Sequence, residues 1–123
     1  MGKILNLTQH EATKEQIEAG VIEPASKGYI RELLTFEELP SQKELERRAK
    51  ELAWLAEAYR SEGITKVMIG GAPYFMSTLE KVLKEHGFTP LYAFSKRECI
   101  EEKRPDGSVK KTQVFRHIGF VEV

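Results

Sequence analysis

Lys66-Val67-Met68-Ile69-Gly70-Gly71-Ala72-Pro73 decides the fold, because its pattern predicts a short apolar strand that turns through two glycines into a helix. Pro73 suits the first position of a helix, where no backbone donor is needed. The helix that follows is amphipathic and ends before Gly87; its apolar positions are Phe75, Leu79, Val82 and Leu83. A strand that leads directly into a helix is the repeating unit of a parallel α/β sheet.

The segments before this unit predict further alternation of strands and helices. Residues 3–7 predict a first strand, and the Thr-x-x-Gln capping box at 13–16 predicts that a helix begins there and ends at Gly20. Residues 21–23 are a candidate second strand, and residues 29–34 predict one or two helical turns. From the cap at Ser41, an apolar stripe predicts a long helix of about six turns. Trp54 lies either on a wide version of this stripe or on an exposed partner surface, and we expect the first.

The C-terminal part predicts one more strand and then a hairpin. Residues 89–96 form the strand, residues 97–103 and 109–123 form the arms, and residues 105–108 form the turn. The expected fold class is therefore α/β, a small three-layer Rossmann-like domain with a mostly parallel sheet and a C-terminal antiparallel hairpin. With 123 residues, the chain is expected to form a single domain over 1–123.

Charge and composition exclude several classes of function. The chain has 19 basic and 19 acidic residues, which argues against non-specific binding to duplex nucleic acid but allows a local anion pocket and self-association. Cys99 is the single cysteine, so no internal disulfide can form and a reducing compartment is expected. The N-terminus is too short and polar for a signal peptide, and no apolar run approaches the roughly 20 residues of a membrane span. These features predict a cytoplasmic protein without a membrane partner.

Three predicted strand ends carry residues suited to a ligand site. The first strand leads into Thr8-Gln9-His10, and Thr13 opens the next helix; the second leads into Gly70-Gly71-Ala72-Pro73; the third leads into Ser95-Lys96-Arg97. Ligands of open α/β sheets bind outside the carboxyl ends of the strands. If the three strands are neighbours, these loops meet in one cleft.

The residues in these loops suit phosphate chemistry, although each also has a purely structural explanation. Two glycines let the backbone approach a ligand and present N–H groups, and the following helix start favours an anion; a tight turn that needs small residues explains the pair equally well. His10 is a candidate general acid or base, or else a solvated loop histidine. Lys96 and Arg97 alternate along a strand, so only one of them faces a given side. The pattern matches neither a dinucleotide-binding motif nor a phosphate-binding loop of NTPases, and it predicts no cofactor and no metal site.

Residues 4–16, Ile-Leu-Asn-Leu-Thr-Gln-His-Glu-Ala-Thr-Lys-Glu-Gln, resemble the opening motif N-L-T-x-H-x-x-T-x-E-Q of small proteins associated with type III CRISPR loci, phages and plasmids. Several of these proteins are ring nucleases, which degrade cyclic oligoadenylate second messengers. Residues 68–73 and 90–95 also resemble segments of this group. The similarity in layout covers most of the chain, while only the opening motif is specific.

The resemblance implies a homodimer in which a two-fold axis passes through the pocket and a metal-independent attack of a ribose 2′-hydroxyl on the next phosphate. It implies His10 as acid or base, with Thr8 and Gln9 beside it in the catalytic loop, and phosphate binding by Gly70 and Gly71. The remaining candidate ligand-binding residues are Thr13, Ala72, Pro73, Tyr74, Ser95, Lys96 and Arg97. Tyr74, Phe75 or Tyr92 would stack on adenine, unless they pack in the core.

Three other functions stay open on the sequence alone. The first alternative is a sensor or sponge that binds a cyclic nucleotide without cutting it. The second is an enzyme for another phosphoester on the same fold, and the third is a protein-interaction or toxin–antitoxin partner without a ligand. Ring size, strand order and a host or viral role are not predicted by the sequence.

Overall fold

The structure, a computed structural model, describes residues 2–123 and confirms the α/β class. The elements in chain order are β1 (Ile4–Asn6), α1 (Lys14–Glu18), β2 (Val21–Ile22), α2 (Lys27–Leu34), α3 (Gln42–Glu57), a 3₁₀ turn (Arg60–Glu62), β3 (Lys66–Met68), α4 (Pro73–Glu85), β4 (Thr89–Lys103) and β5 (Val109–Glu122).

The strands form one mixed sheet in the order β2-β1-β3-β4-β5. Strands β1 to β4 run parallel to their neighbours, and β5 pairs antiparallel with β4. From β1 the chain moves to one side to form β2, and it then crosses to the other side to form β3 and β4. The strand order therefore reverses between β1 and β3, as in doubly wound α/β proteins, and such a reversal opens a crevice at the carboxyl ends of the two strands.

The two faces of the sheet are covered unequally. Leu5 and Val67 point into a large core with the apolar sides of α2, α3 and α4, whereas Ile4 and Met68 alternate with them and point to the opposite face. That second face holds only a small cluster, and α1, which a right-handed crossover places there, contributes no buried residue. The prediction of three layers therefore holds only in a reduced form, because the layer on this second face consists of the short helix α1 and its flanking loop.

Local signals in the sequence correspond to observed helix ends. Thr13 and Gln16 form the predicted capping box, the Ser41 side chain accepts from the N–H of Glu44, and Pro73 opens α4. Helix α3 has 16 residues, which is between four and five turns and shorter than the six turns predicted. The chain tightens into the 3₁₀ turn after it and then reverses at Gly63, whose φ is positive.

The prediction that Trp54 packs in the core is wrong. Its side chain is 69% exposed, because Trp54 lies just outside the buried stripe of α3. No helix within residues 2–123 has the length and apolar character needed to cross a membrane.

Strand β4 is longer than predicted. It pairs with β3 only over residues 89–91, and it continues without a break to Lys103 while pairing with β5. Residues 93–103 and 109–120 therefore form a two-stranded extension beyond the sheet, called the ribbon below. Ser95-Lys96-Arg97 was predicted as a strand-end loop, and this is wrong because the alternating strand pattern simply continues through it. A bulge between Phe94 and Ser95 lies near the start of the ribbon.

Candidate functional site

The loops after β1 and β3 meet at the reversal of strand order. A Cβ atom placed on Gly70 would lie 3.6 Å from Cγ2 of Thr8, an ordinary van der Waals contact. A cleft of about 390 Å³ opens there, which falls within the usual range for small-molecule sites of about 300–1,000 Å³. Its walls are formed by Thr8, Gln9, His10, Glu11, Thr13, Gln16, Met68, Ile69, Gly70, Gly71, Tyr92 and Ala93.

Asn6, the last residue of β1, organises the first loop. Its side chain is fully buried, and its amide group donates to the carbonyl of His10 at 2.9 Å and to Oε1 of Glu23 at 2.8 Å. Its Oδ1 accepts from the N–H of Thr8 at 2.9 Å and lies 2.7 Å from the Thr8 hydroxyl. All the polar groups of this buried amide are therefore satisfied, as burial requires.

Two cations on α2 hold the backbone of the same loop. Nζ of Lys27 donates to the carbonyls of Thr8 at 2.7 Å and His10 at 2.8 Å, and Nε of Arg31 donates to the carbonyl of Gln9 at 3.1 Å. Each of the three successive carbonyls thus has a cationic donor, and such charge-assisted bonds are stronger than neutral ones. The loop is fixed from behind, and its side chains face the cleft.

Glu23 connects these supports. Its Oε1 accepts from the N–H of Ala12 at 2.7 Å, and its Oε2 lies 3.2 Å from Nζ of Lys27. Burial alone raises the pKa of this carboxyl group, but the N–H of Ala12, the amide of Asn6 and the ammonium of Lys27 outweigh that effect and hold the pKa below its usual value. Glu23 therefore supports the loop in its ionised form, which accepts these hydrogen bonds and pairs with Lys27.

The second loop offers backbone donors. Gly71 has a φ of 155°, which residues with a side chain rarely adopt, so glycine is required by conformation; a Cβ atom there would make only an ordinary contact, 3.4 Å from Cε of Met76. Within residues 2–123, the N–H groups of Gly70, Gly71 and Ala72 donate to no protein acceptor. They lie at the start of α4, whose N-cap residue makes no side-chain hydrogen bond. The positive end of this helix dipole and the three N–H groups together suit an anion.

The polar side chains of the cleft divide into bound and free ones. The Thr8 hydroxyl is engaged with Asn6, and Thr13 and Gln16 are engaged with each other in the capping box. Gln9 and His10 make no side-chain hydrogen bonds within residues 2–123, and the imidazole of His10 is exposed. Glu11 adds an exposed carboxylate to the same wall. Within the described residues, Gln9, His10 and Glu11 are therefore the polar side chains of the cleft that are left available to a ligand.

The structure gathers some of the predicted site residues and separates the others. Residues 8–10, Thr13, Gly70 and Gly71 line the cleft, and Ala72 and Pro73 follow directly at the helix start. Tyr74 lies outside these walls, where its ring packs edge-on against Phe36 at 5.4 Å.

Ser95, Lys96 and Arg97 do not line the cleft but lie on the exposed ribbon. The cation that the sequence predicts for the cleft, Lys96 or Arg97, therefore lies elsewhere. Lys27 and Arg31 do not replace it, because both donate to carbonyls of the Thr8-Gln9-His10 loop.

Of the two other aromatic candidates, Phe75 is buried in the core. Tyr92 lines the cleft, but its hydroxyl donates to Glu80 at 2.6 Å. Burial and this carboxylate raise the pKa of Tyr92 well above its usual value, so the phenol stays protonated.

Sequence reasoning missed the residues that position the loop, namely Asn6, Glu23, Lys27 and Arg31. Asn6 carries a detectable signal, because an amide at the end of an otherwise apolar strand must have partners when it is buried. The other three lie 17 to 25 residues further along the chain, on a strand end and a helix whose placement depends on the tertiary fold. No local pattern connects them with the loop.

Comparison with known proteins gives a family and nothing about activity. No curated protein and no solved structure matches the chain. The resemblance to ring nucleases is not tested by these comparisons and stays a prediction. The model of the family described as "Uncharacterized protein MJ1673 family" matches residues 2–121. Since this match covers nearly the whole sequence, the chain belongs to the MJ1673 family.

Proposed function

We propose that this protein binds cyclic oligoadenylate in the cleft between the Thr8-Gln9-His10 loop and the Gly70-Gly71 turn, and that it cleaves the ring without a metal ion. The observation that carries the proposal is the meeting of these two loops at the reversal of strand order. There, the exposed His10 and the two glycines line one cleft, and the N–H groups of these glycines make no hydrogen bond within residues 2–123. The resemblance of residues 4–16 to ring nucleases supports the choice of ligand.

The proposed reaction has three needs. The ribose 2′-oxygen must be aligned with the phosphorus and lose its proton, charge on the phosphorane must be stabilised, and the leaving 5′-oxygen must gain a proton. His10 takes the 2′-proton, the N–H groups of Gly70, Gly71 and Ala72 bind the phosphate oxygens, and a solvent water protonates the 5′-oxygen. The new bond joins the 2′-oxygen to phosphorus while the bond to the 5′-oxygen breaks, which leaves a 2′,3′-cyclic phosphate and a 5′-hydroxyl, and His10 returns its proton to the solvent.

The size of the cleft supports binding of one nucleotide unit of the ring. A volume of about 390 Å³ lies near the lower end of the range for small-molecule sites, so it suits one nucleotide unit and not a whole ring. The rest of the ring would extend beyond the cleft, and the proposal includes the homodimer that the resemblance implies. The proposal includes a cytoplasmic location, which agrees with the single unpaired Cys99.

A second candidate function is a sponge or sensor that binds the ring and leaves it intact. The observation in its favour is that nothing within residues 2–123 orients the imidazole of His10, and that no unengaged lysine or arginine lines the cleft. Binding needs only the backbone donors, whereas cleavage also needs an aligned base. Product analysis distinguishes the two functions.

The test is incubation of the protein with cyclic tri-, tetra- and hexa-adenylate in EDTA, followed by separation of the products. We expect linear products that end in a 2′,3′-cyclic phosphate. Cleavage should be lost in His10→Ala and kept in His86→Ala, which removes an exposed histidine at the far end of α4. Tight binding with every ring intact would establish the sponge instead, and neither binding nor cleavage of any ring would refute both.

A further inference from the structure

One edge of the ribbon is unpaired and long. Beyond residue 91, β4 has β5 on one side and, within residues 2–123, no strand on the other. Its side chains are exposed from Ala93 onwards apart from Glu98, and Phe94 and Phe115 are 52% and 67% exposed. A lone two-stranded ribbon is marginally stable in water, and an open edge is a template for pairing with another strand.

The charges along this edge are complementary to themselves. The sequence Lys96-Arg97-Glu98-Cys99-Ile100-Glu101-Glu102 has basic residues before Cys99 and acidic residues after it. If two copies pair antiparallel with Cys99 opposite Cys99, Lys96 lies opposite Glu102 of the partner subunit. Arg97 then lies opposite Glu101 of the partner subunit, and the two-fold axis repeats both pairs. Opposite charges directly across a ladder stabilise it, and like charges destabilise it.

Neighbouring registers lose this complementarity. A shift that places Glu98 opposite Glu101 of the partner subunit also places Lys96 opposite Lys103 of the partner subunit. A shift in the other direction that centres on Glu98 places the two Glu98 carboxylates against each other. The Cys99-centred register is the one in which all four charged positions of 96, 97, 101 and 102 face an opposite charge.

The other edge of the ribbon resists self-pairing. Residues 109–121 of β5 contain Lys110, Lys111 and Arg116 and no acidic residue. Two such strands side by side would form no pair of opposite charges in any antiparallel register, and several registers would bring like charges together. Within the ribbon, Arg116 already pairs with Glu98 at 2.9 Å, and Lys111 lies 3.8 Å from Glu101. The charge pattern therefore favours β4 as the pairing edge.

We infer that the protein forms a two-fold dimer in which the β4 edges of two ribbons pair antiparallel around Cys99. The ribbons then join into one four-stranded sheet with the strand order β5-β4-β4-β5. In this register, position 104 lies opposite position 94, so Arg104 of the partner subunit comes beside Phe94. Ala93, the preceding residue, lines the cleft. The dimer thereby brings a cation to the mouth of a site whose own lysine and arginine neighbours are engaged; this last consequence rests on the proposed function.

The first test uses Cys99 as a reporter of the axis. In an antiparallel ladder, opposite Cα atoms lie about 4.5 or 5.5 Å apart, and both values fall within the range of about 4.4–6.8 Å that a disulfide needs. Treatment with copper(II)-phenanthroline, which takes two electrons as the two thiols lose their protons, should convert most of the chain to a reducible covalent dimer.

The matched control moves the thiol across the ribbon. Cys99→Ser combined with Gln113→Cys places a thiol on the residue that pairs with Cys99 within the ribbon and is also exposed. In the proposed dimer the two copies of position 113 are three strand spacings apart, about 14 Å, so little cross-linking is expected. Equal cross-linking from both positions, or none from Cys99, would overturn the inference.

The second test reverses charges and does not depend on the thiol. Lys96→Glu with Arg97→Glu, and separately Glu101→Lys with Glu102→Lys, should each turn the dimer into a monomer of 14.1 kDa in sedimentation velocity. Mixing the two variants should restore the dimer, because every position of one strand then faces an opposite charge on the other. Lys43→Glu with Lys50→Glu, an equal charge change at exposed positions of α3, should leave the dimer intact.

The result separates this inference from the proposed function. A wild-type monomer, dimeric single variants or a mixture that stays monomeric would refute the interface, whatever the protein does to cyclic nucleotides. If the interface holds and Arg104→Ala keeps the dimer but does not weaken binding of cyclic tetra-adenylate, the contribution of the partner to the cleft is refuted and the dimer stands.

Discussion

Replacing Asn6 should loosen the loop that carries His10 while leaving the rest of the sheet in place. Asn6→Ala removes the hydrogen bonds to the N–H of Thr8, the carbonyl of His10 and the carboxylate of Glu23. Net contributions are about 0.5–1.5 kcal/mol for a neutral bond and about 1.5–3 kcal/mol for one to a charged group. Lys27 still binds the His10 carbonyl, and Glu23 keeps two partners. We therefore expect a loss of about 3 kcal/mol, a large share of the 5–15 kcal/mol typical of a domain.

Asn6→Asp is the more informative change because it keeps the shape and the acceptor oxygen for Thr8. It replaces the donor with an oxygen that faces the Glu23 carboxylate, so the variant should be less stable than Asn6→Ala at neutral pH. Two adjacent carboxylates raise the pKa of one of them. The folded state then binds more protons than the unfolded state, and the stability of Asn6→Asp should rise as the pH falls towards the usual carboxyl range. The wild type should show the opposite slope.

The assay is urea unfolding followed by circular dichroism over a series of pH values, with Thr8→Val as a milder control that removes one hydroxyl and keeps the N–H. Thermal unfolding gives a second readout, in which a loss of about 3 kcal/mol lowers the melting temperature by about 10 °C in a domain of this size. If Asn6→Asp is as stable as the wild type at neutral pH, or if both share one pH slope, the buried amide does not have the role described.

Three further changes test the supports of the site. Glu23→Gln should lower stability at neutral pH and remove the part of the acid sensitivity that appears below the ordinary carboxyl pKa of 4.5, because the folded-state pKa of Glu23 is depressed; pH-dependent unfolding measures it. Gly71→Ala should cost about 1–3 kcal/mol in urea unfolding because of its φ of 155°, whereas Gly70→Ala should cost about 0.5 kcal/mol or less; equal costs would contradict the conformational argument. Arg48→Met should cost about 1–3 kcal/mol by thermal unfolding, because its guanidinium binds three carbonyls at the end of α2. Arg47→Met, which loses only a surface ion pair, should change little.

The parts of the fold that follow from the sequence are those with a local physical signal. The capping box at Thr13 and Gln16 and the proline at the start of α4 each place a helix terminus within a residue or two. The two glycines after β3 indicate a tight strand-to-helix turn, and the positive φ of Gly71 shows why one of them is needed. Because helices between strands impose parallel pairing, these few signals were enough for the fold class.

The errors come from features that depend on neighbours distant in sequence. Residues 95–97 alternate like any strand, and whether they end a sheet strand or continue into a ribbon depends on the length of β3, which stops at Met68. Trp54 lies beside the buried stripe of α3, and a helical pattern alone does not fix how wide the covered face is. The strand order, and hence the meeting of the two loops, also depends on the tertiary packing.

The way the site loop is held constrains what it can do. Lys27 and Arg31 direct their charges at the carbonyls behind the loop, so they fix its backbone and leave little free positive potential in the cleft. The backbone of His10 is thus held in place, while its imidazole makes no hydrogen bond within residues 2–123. If the protein acts as proposed, a ligand must orient this ring, and a phosphodiester bound to the N–H groups of Gly70 and Gly71 would do so by holding a ribose beside it. The proposal therefore predicts that the phosphate binds first, and that a nucleoside without phosphate neither binds tightly nor orders the ring.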